Sequence, residues 1–392
     1  MSAYGRALSV EVCTDERAFA ELAPEWARLH GACPSATAFQ SHPWLHSWWQ
    51  SYGRRGRLRL VLVRRRGELV AAAPLMRVHR PLPALVPIGG AITDICDVLI
   101  DEEVAAQGAG ALADGLAELA RTSLVDFREV RPGGAMERVY LCWRGPRHRL
   151  PDSVCLELPA APMDELVARL SSRHAQRVRN KVNRLARLGV EWRVVHADET
   201  EAALRRLLAL HRLQWEGRTM SSEHARPRFL EHLVRSAAPM TRSGQAAVME
   251  FVLDGAVVAV NLNLLSGGPG GLAGTYLYGF HPRLRERKVD VAAMLLHAST
   301  EHLMSGARHR VLSLLRGDEP YKYRWHPEKV VNQRLLLARR RTAPLLAAAV
   351  TEATARQRAK QVLRRIPTPG SGSDSGSGSG SGSSDSGSED QR

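Results

Sequence analysis

The chain has 392 residues, is 44% hydrophobic and carries a formal charge of +15. This is enough for two domains with real cores, and the basic balance points either to anionic partners or to an Arg-rich surface throughout. No run reaches the ~18 apolar residues a spanning helix needs. The N-terminus lacks the apolar stretch of a secretory signal, and five cysteines without a CxxC pair argue against a disulfide framework or a zinc site, so a cytoplasmic location is expected.

In chain order, VEVCTDERAFAEL (10–22) reads as a short strand and then a helix with Asp15 at its N-cap. HPWLHSWWQSYG (42–53) is a helix with Trp44 and Trp48 on one face, either a sugar platform or an anchor between domains. LVLVRRRGELVAAAPLM (60–76) is a β-hairpin. The acidic segment GGAITDICDVLIDEE follows, and SLVDFREVRPG (123–133) is a strand closed by Arg128. SSRHAQRVRNKVNRLARLG (171–189) is a helix with Val178, Val182 and Leu185 facing inward. Its cations Arg173, Arg177, Arg179, Lys181, Arg184 and Arg187 either contact RNA phosphates or form a solvated face.

The pattern then recurs. WRVVHADETEAALRRL (192–207) repeats the first strand and helix, with Asp198 at the N-cap position. AVMEFVLDGAVVAVNLNLL (247–265) repeats the hairpin around Asp254-Gly255, and VLSLLRGDEP (311–320) repeats the strand that ends in arginine. Gly67 and Gly255, like Arg128 and Arg316, are 188 residues apart. A duplicated architecture follows, with a first unit at 1–159, a second at 160–342, a basic helix at 343–366 and a flexible Gly/Ser tail at 367–392.

In the second unit, GGPGGLAG (267–274) lacks the Lys-Ser/Thr of a P-loop and reads as a linker. TYLYGFHP (275–282) is a third antiparallel strand. It leads through a basic loop, RLRERK (283–288), into a helix at 290–306 with Asp290 as N-cap and Gly306 as its stop. A strand, a cationic loop and a helix N-terminus form either a diphosphate site or a solvated basic loop, and the first unit has no equivalent arginine cluster.

FQSHPWLHSWWQSYG (39–53), LHRLQWEGR (210–218) and LLRGDEPYKYRW (314–325) resemble motifs of the GNAT acyltransferases, in the CelD-type branch related to the Fem aminoacyl transferases. The resemblance spans about residues 8–342. It implies an α/β (α+β) fold of tandem GNAT-like domains, with mixed, mostly antiparallel sheets flanked by helices. It also implies an acyl-CoA co-substrate, no metal, and a small-molecule or glycan-precursor acceptor with an amine or hydroxyl nucleophile. The pantetheine arm is then expected along 256–265, at Val258, Val260 and Asn261, and the diphosphate at Arg285, Arg287, Lys288 and Val289. Asp318 or Glu319 is the candidate base, Tyr278 the candidate acid, and His211 a further catalytic candidate. Trp44, Trp215, Asn263, Arg316, Tyr321, Lys322 and Trp325 are expected around the acceptor. If 321–325 is extended, its cations and rings project oppositely.

Two departures stand out. Ser313 occupies a position where the family often has Asp, and Lys288-Val289-Asp290 replaces Ser-Pro-Gly, which sets a carboxylate beside the expected anion. Two alternatives therefore stay open: a Fem-like transferase that takes its acyl group from charged tRNA, and a catalytically silent scaffold.

Overall fold

The computed structural model describes residues 8–79, 81–216, 223–267, 271–304 and 309–365, with side chains as far as 359. The expected stop at Gly306, the end of the LHRLQWEGR motif, the middle of the glycine linker and the Gly/Ser tail lie outside the described residues.

The first half contains β1 (Leu8–Cys13), α1 (Glu16–Glu21), α2 (Ala23–Ala32), α3 (His42–Tyr52), β2 (Leu58–Arg65), β3 (Glu68–His79), β4 (Pro83–Pro87), β5 (Leu99–Ile100), α4 (Ala105–Leu119), β6 (Leu124–Val130), α5 (Ala135–Cys142) and β7 (Arg147–Pro159). After α6 (Met163–Ala168) and α7 (Ser172–Leu188), the same course repeats. It runs through β8 (Glu191–Val194), α8 (Thr200–Gln214), α9 (Pro227–Arg242), β9 (Ala246–Leu253), β10 (Ala256–Leu265), β11 (Gly271–Phe280), α10 (Arg283–Glu286), α11 (Val291–Met304), β12 (His309–Arg316) and β13 (Glu328–Leu337), before α12 (Ala343–Arg365).

Local chemistry accounts for the repeat. Both hairpins turn on two residues of positive φ, Arg66-Gly67 (56° and 87°) and Asp254-Gly255 (53° and 73°), a geometry matched to strand twist. Asp15 caps α1 as expected, accepting the N–H groups of Arg17 and Ala18. Asp198 does not cap α8. It lies inside a 3-10 turn, Ala197–Glu199, that His196 caps. The loop expected at 283–288 is also partly ordered, as the single turn of α10.

The two halves share one mixed sheet of thirteen strands rather than forming two. Its order is β1-β2-β3-β4-β6-β13-β7-β12-β11-β10-β9-β8, with β5 on β3. β13 sits between β6 and β7 of the first half, while β7 pairs with β12 of the second. The halves have therefore exchanged their terminal strands. β4–β6 and β11–β12 are the parallel pairs; the others are antiparallel.

On the face of the second half that carries α11, Leu166, Val167, Leu170 and Val178 of α6–α7 pack with Leu296 and Leu303 of α11. On the other face α8 lies over β10 and β11, and α9 packs on α3 of the first half. Trp44 of α3 is at that junction. Its ring meets Phe39, His232 and Tyr276 edge-on, and its Nε1 donates to Thr93 Oγ1 at 3.0 Å.

Candidate active site

The site begins where two parallel strands separate. β11 and β12 pair from Gly271–His309 to Gly274–Ser313 and no further, although β11 continues to Phe280 and β12 to Arg316. Three local features open this fork. Tyr276 is an extra residue in β11, because Leu262 faces Leu277 while Asn263 faces Thr275; such a bulge bends and twists its strand. Leu315 has φ 53° within a register slip of β12 against β7. Its side chain lies so close over Gly274 that a Cβ there would stand 2.7 Å from Leu315 Cδ2.

The free edge belongs to β11. His281 donates its N–H to Val258 O at 2.8 Å, and by antiparallel alternation the peptide groups of Tyr278 and Phe280 then face the fork. Tyr278 O accepts a hydrogen bond from His211 Nδ1 at 2.8 Å. α8 comes this close because residue 279 is Gly: a Cβ there would be 2.4 Å from His211 N and Leu207 O. β10 is bonded on both sides, by β9 and β11. Val258, Val260 and Asn261, expected along the arm of a donor, are fully buried in that interior strand and have no edge to offer. Asn261 and Asn263 do share a face, but both turn to Ser299 of α11, at 3.4 and 3.3 Å, inside the fold. Asn263 therefore does not face an acceptor.

In the first half the corresponding gap is filled by its own chain. β4 and β6 pair only at Ala84–Leu124 and Leu85–Val125. The chain then leaves β4, donates Cys96 N–H to Glu129 O at 2.9 Å, and returns as β5 beside β3. This segment also forms a wall of the second fork. Ile92 O accepts the Tyr276 hydroxyl at 2.8 Å, Ala91 O accepts Arg316 Nη2, and Asp94 pairs with Arg316 at 3.1 Å. Glu129 holds the other side of Arg316 at 3.3 Å and accepts from Asn332 Nδ2 at 3.1 Å. Burial pushes the Glu129 carboxyl up and is partly offset by Arg316. Burial also works against the Arg316 charge, but Asp94 and Glu129 outweigh it and hold the guanidinium above its ordinary pKa. Asp94 and Glu129 were not legible as site residues; the acidic GGAITDICD segment was the one signal available.

Beyond β12 the chain forms a 3-10 turn, Lys322–Trp325, so the extended alternation expected for 321–325 does not occur. Glu319 and Lys322 make an ion pair at 2.8 Å with both side chains 8% exposed, and Lys322 Nζ also donates to Arg316 O at 3.2 Å. Tyr321 shares a side-chain hydrogen bond with Tyr278, and burial raises its pKa well above the ordinary value. Asp318 is exposed and accepts the Tyr323 hydroxyl. Arg316, Glu319, Tyr321, Lys322 and Tyr278 thus come together at the fork. Trp325 instead packs in the core beside α6 and α7. Trp44, 1% exposed, is a junction anchor and not a surface platform. Trp215 ends α8 beside His211, ring centroids 6.2 Å apart.

At the tip of α11, Asp290 accepts the Ala293 N–H at 3.1 Å, as a cap should. Lys181 of α7 pairs with Asp290 at 2.5 Å, Arg184 donates to Arg287 O at 3.0 Å, and Arg287 pairs with Asp254 at 3.3 Å. The N–H groups of Arg287, Lys288 and Val289 go to the carbonyls of Arg283, Arg285 and Leu284. Arg285 lies over the Phe280 ring at 4.8 Å. Val289 is buried, while Arg287 and Lys288 are exposed. The fork edge fits an extended arm, but this tip does not offer a cradle of backbone N–H groups alone; an anion would have to be held by cations. Among the described residues no cluster of three metal-ligating side chains occurs, no helix is long and apolar enough to cross a membrane, and the five cysteines are unpaired.

Paired halves, a bulged and parted parallel pair and a helix entering beside it define a tandem GNAT-like α/β protein. Residues 172–323 match the family model described as an acetyltransferase (GNAT) domain. Three solved structures have the same fold. FemX is 11% identical with a TM-score of 0.58, covering 82% of this chain and 97% of its own. The C-terminal domain of a protein described as a lysylphosphatidylglycerol synthetase, from Agrobacterium fabrum, is 12% identical with a TM-score of 0.53, covering 85% and 96%. L-PGS from Bacillus licheniformis is 13% identical with a TM-score of 0.52, covering 86% and 96%. No curated protein sequence matches the chain.

Proposed function

We propose that this chain is an acyltransferase of the CelD-type branch. It would move an acyl group, in the first instance acetyl, from acyl-CoA to an amine or hydroxyl of a small-molecule or glycan-precursor acceptor. The observation that carries the reading is the separation of β11 from β12 after Gly274–Ser313, with the bulge at Tyr276. An extended donor arm could pair with the Tyr278 and Phe280 peptide groups, with Arg285, Arg287 and Lys288 as the cations for its diphosphate. Residues 160–342 would hold the donor and 1–159 would shape the acceptor side through Ala91, Ile92 and Asp94. In this scheme Tyr278, bonded to Tyr321, is placed to protonate the departing thiolate. Glu319 is paired with Lys322, so its carboxylate is already engaged and braces the mouth.

Acetyl-CoA should raise the Tm, since a ligand bound to the native state stabilises it. The double change Arg287→Ala and Lys288→Ala should remove that rise. A parent protein that acetyl-CoA leaves unmoved would end the acyl-CoA reading.

One observation favours a second donor. Asp290 places a carboxylate at the α11 tip, and the cations of α7 flank it. An aminoacyl ester on RNA brings no diphosphate to that tip, and its backbone would suit α7. RNA binding that weakens steeply with salt, without an acetyl-CoA response, would select this donor.

A further inference from the structure

Two imidazoles beside the fork, His211 buried and His224 half-buried, define each other's protonation. His211 is 5% exposed, and its Nδ1 lies 2.8 Å from Tyr278 O. A carbonyl oxygen only accepts, so Nδ1 carries the hydrogen and Nε2 holds a lone pair. His224 Nδ1 lies 3.3 Å from that Nε2, so His224 is the donor of this contact and its own Nε2 holds a lone pair. Its ring is stacked on Phe229 at 4.6 Å and 25°. The order Tyr278 O, His211, His224 thus turns one carbonyl on the fork edge into a base of fixed orientation. Orientation of a base by a second group is the logic of a catalytic triad.

We propose that His224 Nε2 accepts the acceptor's proton during transfer, with His211 as the positioning residue that sets its tautomer. This rests on the acyltransferase reading above. The acceptor's lone pair bonds to the acyl carbonyl carbon and the carbon–sulfur bond breaks. The acceptor's proton goes to His224 Nε2, Tyr278 protonates the departing thiolate, and the proton held by His224 then returns to Tyr278 through solvent, so no other reactant is required.

Burial lowers the pKa of both rings, that of His224 to about 4 with the neighbouring His211 adding to the effect. Glu223, next in the chain, acts in the opposite direction, but it is already paired with Arg228 at 2.8 Å and Arg226 at 3.6 Å and bonded to Tyr52. On the β11 side the titratable neighbours are Tyr278 and its partner Tyr321. Both imidazoles are therefore neutral at pH 7.

The test uses the full chain with acetyl-CoA alone, water serving as acceptor, and reads thiol release. His224→Gln should lower release about 100-fold or more, the range of a general base, while keeping the Tm rise with acetyl-CoA. Hydroxylamine, neutral at pH 7 and needing no base, should restore release. In the parent, release should persist below pH 6.5, where an ordinary histidine has already been protonated. Release by His224→Gln equal to the parent's overturns this proposal alone, as does loss of the Tm rise in that variant. No release by the parent with water or hydroxylamine overturns the acyl-CoA reading along with it. Should His224→Gln fail to fold, imidazole nitrogen resonances of the parent at pH 6 decide. Neutral rings protonated at Nδ1 support the assignment; any other tautomer or a charged ring ends it.

Discussion

Asp290 and Lys181 bind each other at 2.5 Å across the tip of α11, the end at which the donor's diphosphate is proposed to sit. The carboxylate caps the helix and simultaneously opposes any incoming anion. Asp290→Asn keeps a capping oxygen, removes the charge and frees Lys181. Acetyl-CoA affinity should rise about 5-fold, as ~1 kcal/mol for one charge at a helix terminus implies. Calorimetric titration checks this, and weaker binding by the variant would contradict the placement of the diphosphate.

Arg316 lies between Asp94 and Glu129 at the seam between the halves. Arg316→Met leaves both carboxylates without their cation and should cost about 3–5 kcal/mol in urea denaturation at pH 8. Glu129 already has a raised pKa in the native state. A group raised on folding contributes stability below its unfolded pKa and loses it as pH rises through the folded value. Without Arg316 that pKa rises further, so the deficit should shrink on going to pH 5. A pH-independent deficit would mean that the arginine acts by packing.

His232 is fully buried between Trp44 and Ser47, and burial lowers its pKa to about 3, with Arg235 adding to the effect. Unfolding frees it to take a proton below its ordinary pKa of ~6.5. This contribution is therefore intact at pH 7 and lost as pH falls toward the folded value, with a slope approaching ~1.4 kcal/mol per pH unit. His232→Gln should flatten the acid limb of stability between pH 6 and 4. An unchanged limb would assign the acid sensitivity elsewhere.

Asp97 accepts the N–H groups of Ala135 and Met136, each at 2.7 Å, together with Val98 N–H at 2.9 Å and the Ser35 hydroxyl at 3.2 Å. Every lone pair faces a donor, so the NH₂ of an Asn must face one as well. Asp97→Asn should destabilise the fold by about 1–3 kcal/mol, the cost of a buried donor left without an acceptor. Urea midpoints measure it, and a neutral substitution would show that the loop relaxes.

Gly279→Ala drives a methyl group into the backbone of α8 at His211 and Leu207. A cost of about 1–3 kcal/mol is expected from overpacking, with loss of thiol release because His211 is displaced. Retained stability and activity would mean that α8 is free to shift.

Much of this architecture is local and therefore readable. The Asp254-Gly255 turn, the alternating hairpin strands and the helix start at Asp290 are short-range features, and each formed as its residues required. The unreadable part is what depends on distant partners. Polar residues on alternate positions of β10 marked Asn261 and Asn263 for a cleft, but their partner, Ser299, is supplied by α11. The fork edge passed to β11 because one extra residue, Tyr276, bulges there, and nothing about a tyrosine announces a bulge. Residues 321–325 alternate as a strand would, yet Lys322 turns back to Glu319, which favours a 3-10 turn.

The placing of β13 between β6 and β7 has a consequence for synthesis. When β7 leaves the ribosome, the strand that must lie between it and β6 has not yet been translated. Some 180 residues separate Pro159 from Leu337, about 10–40 s of elongation. Until then the earlier part waits with bare strand edges, which invite pairing with a neighbouring chain. Each part taken alone lacks the ribbon that the other supplies to its portion of the sheet.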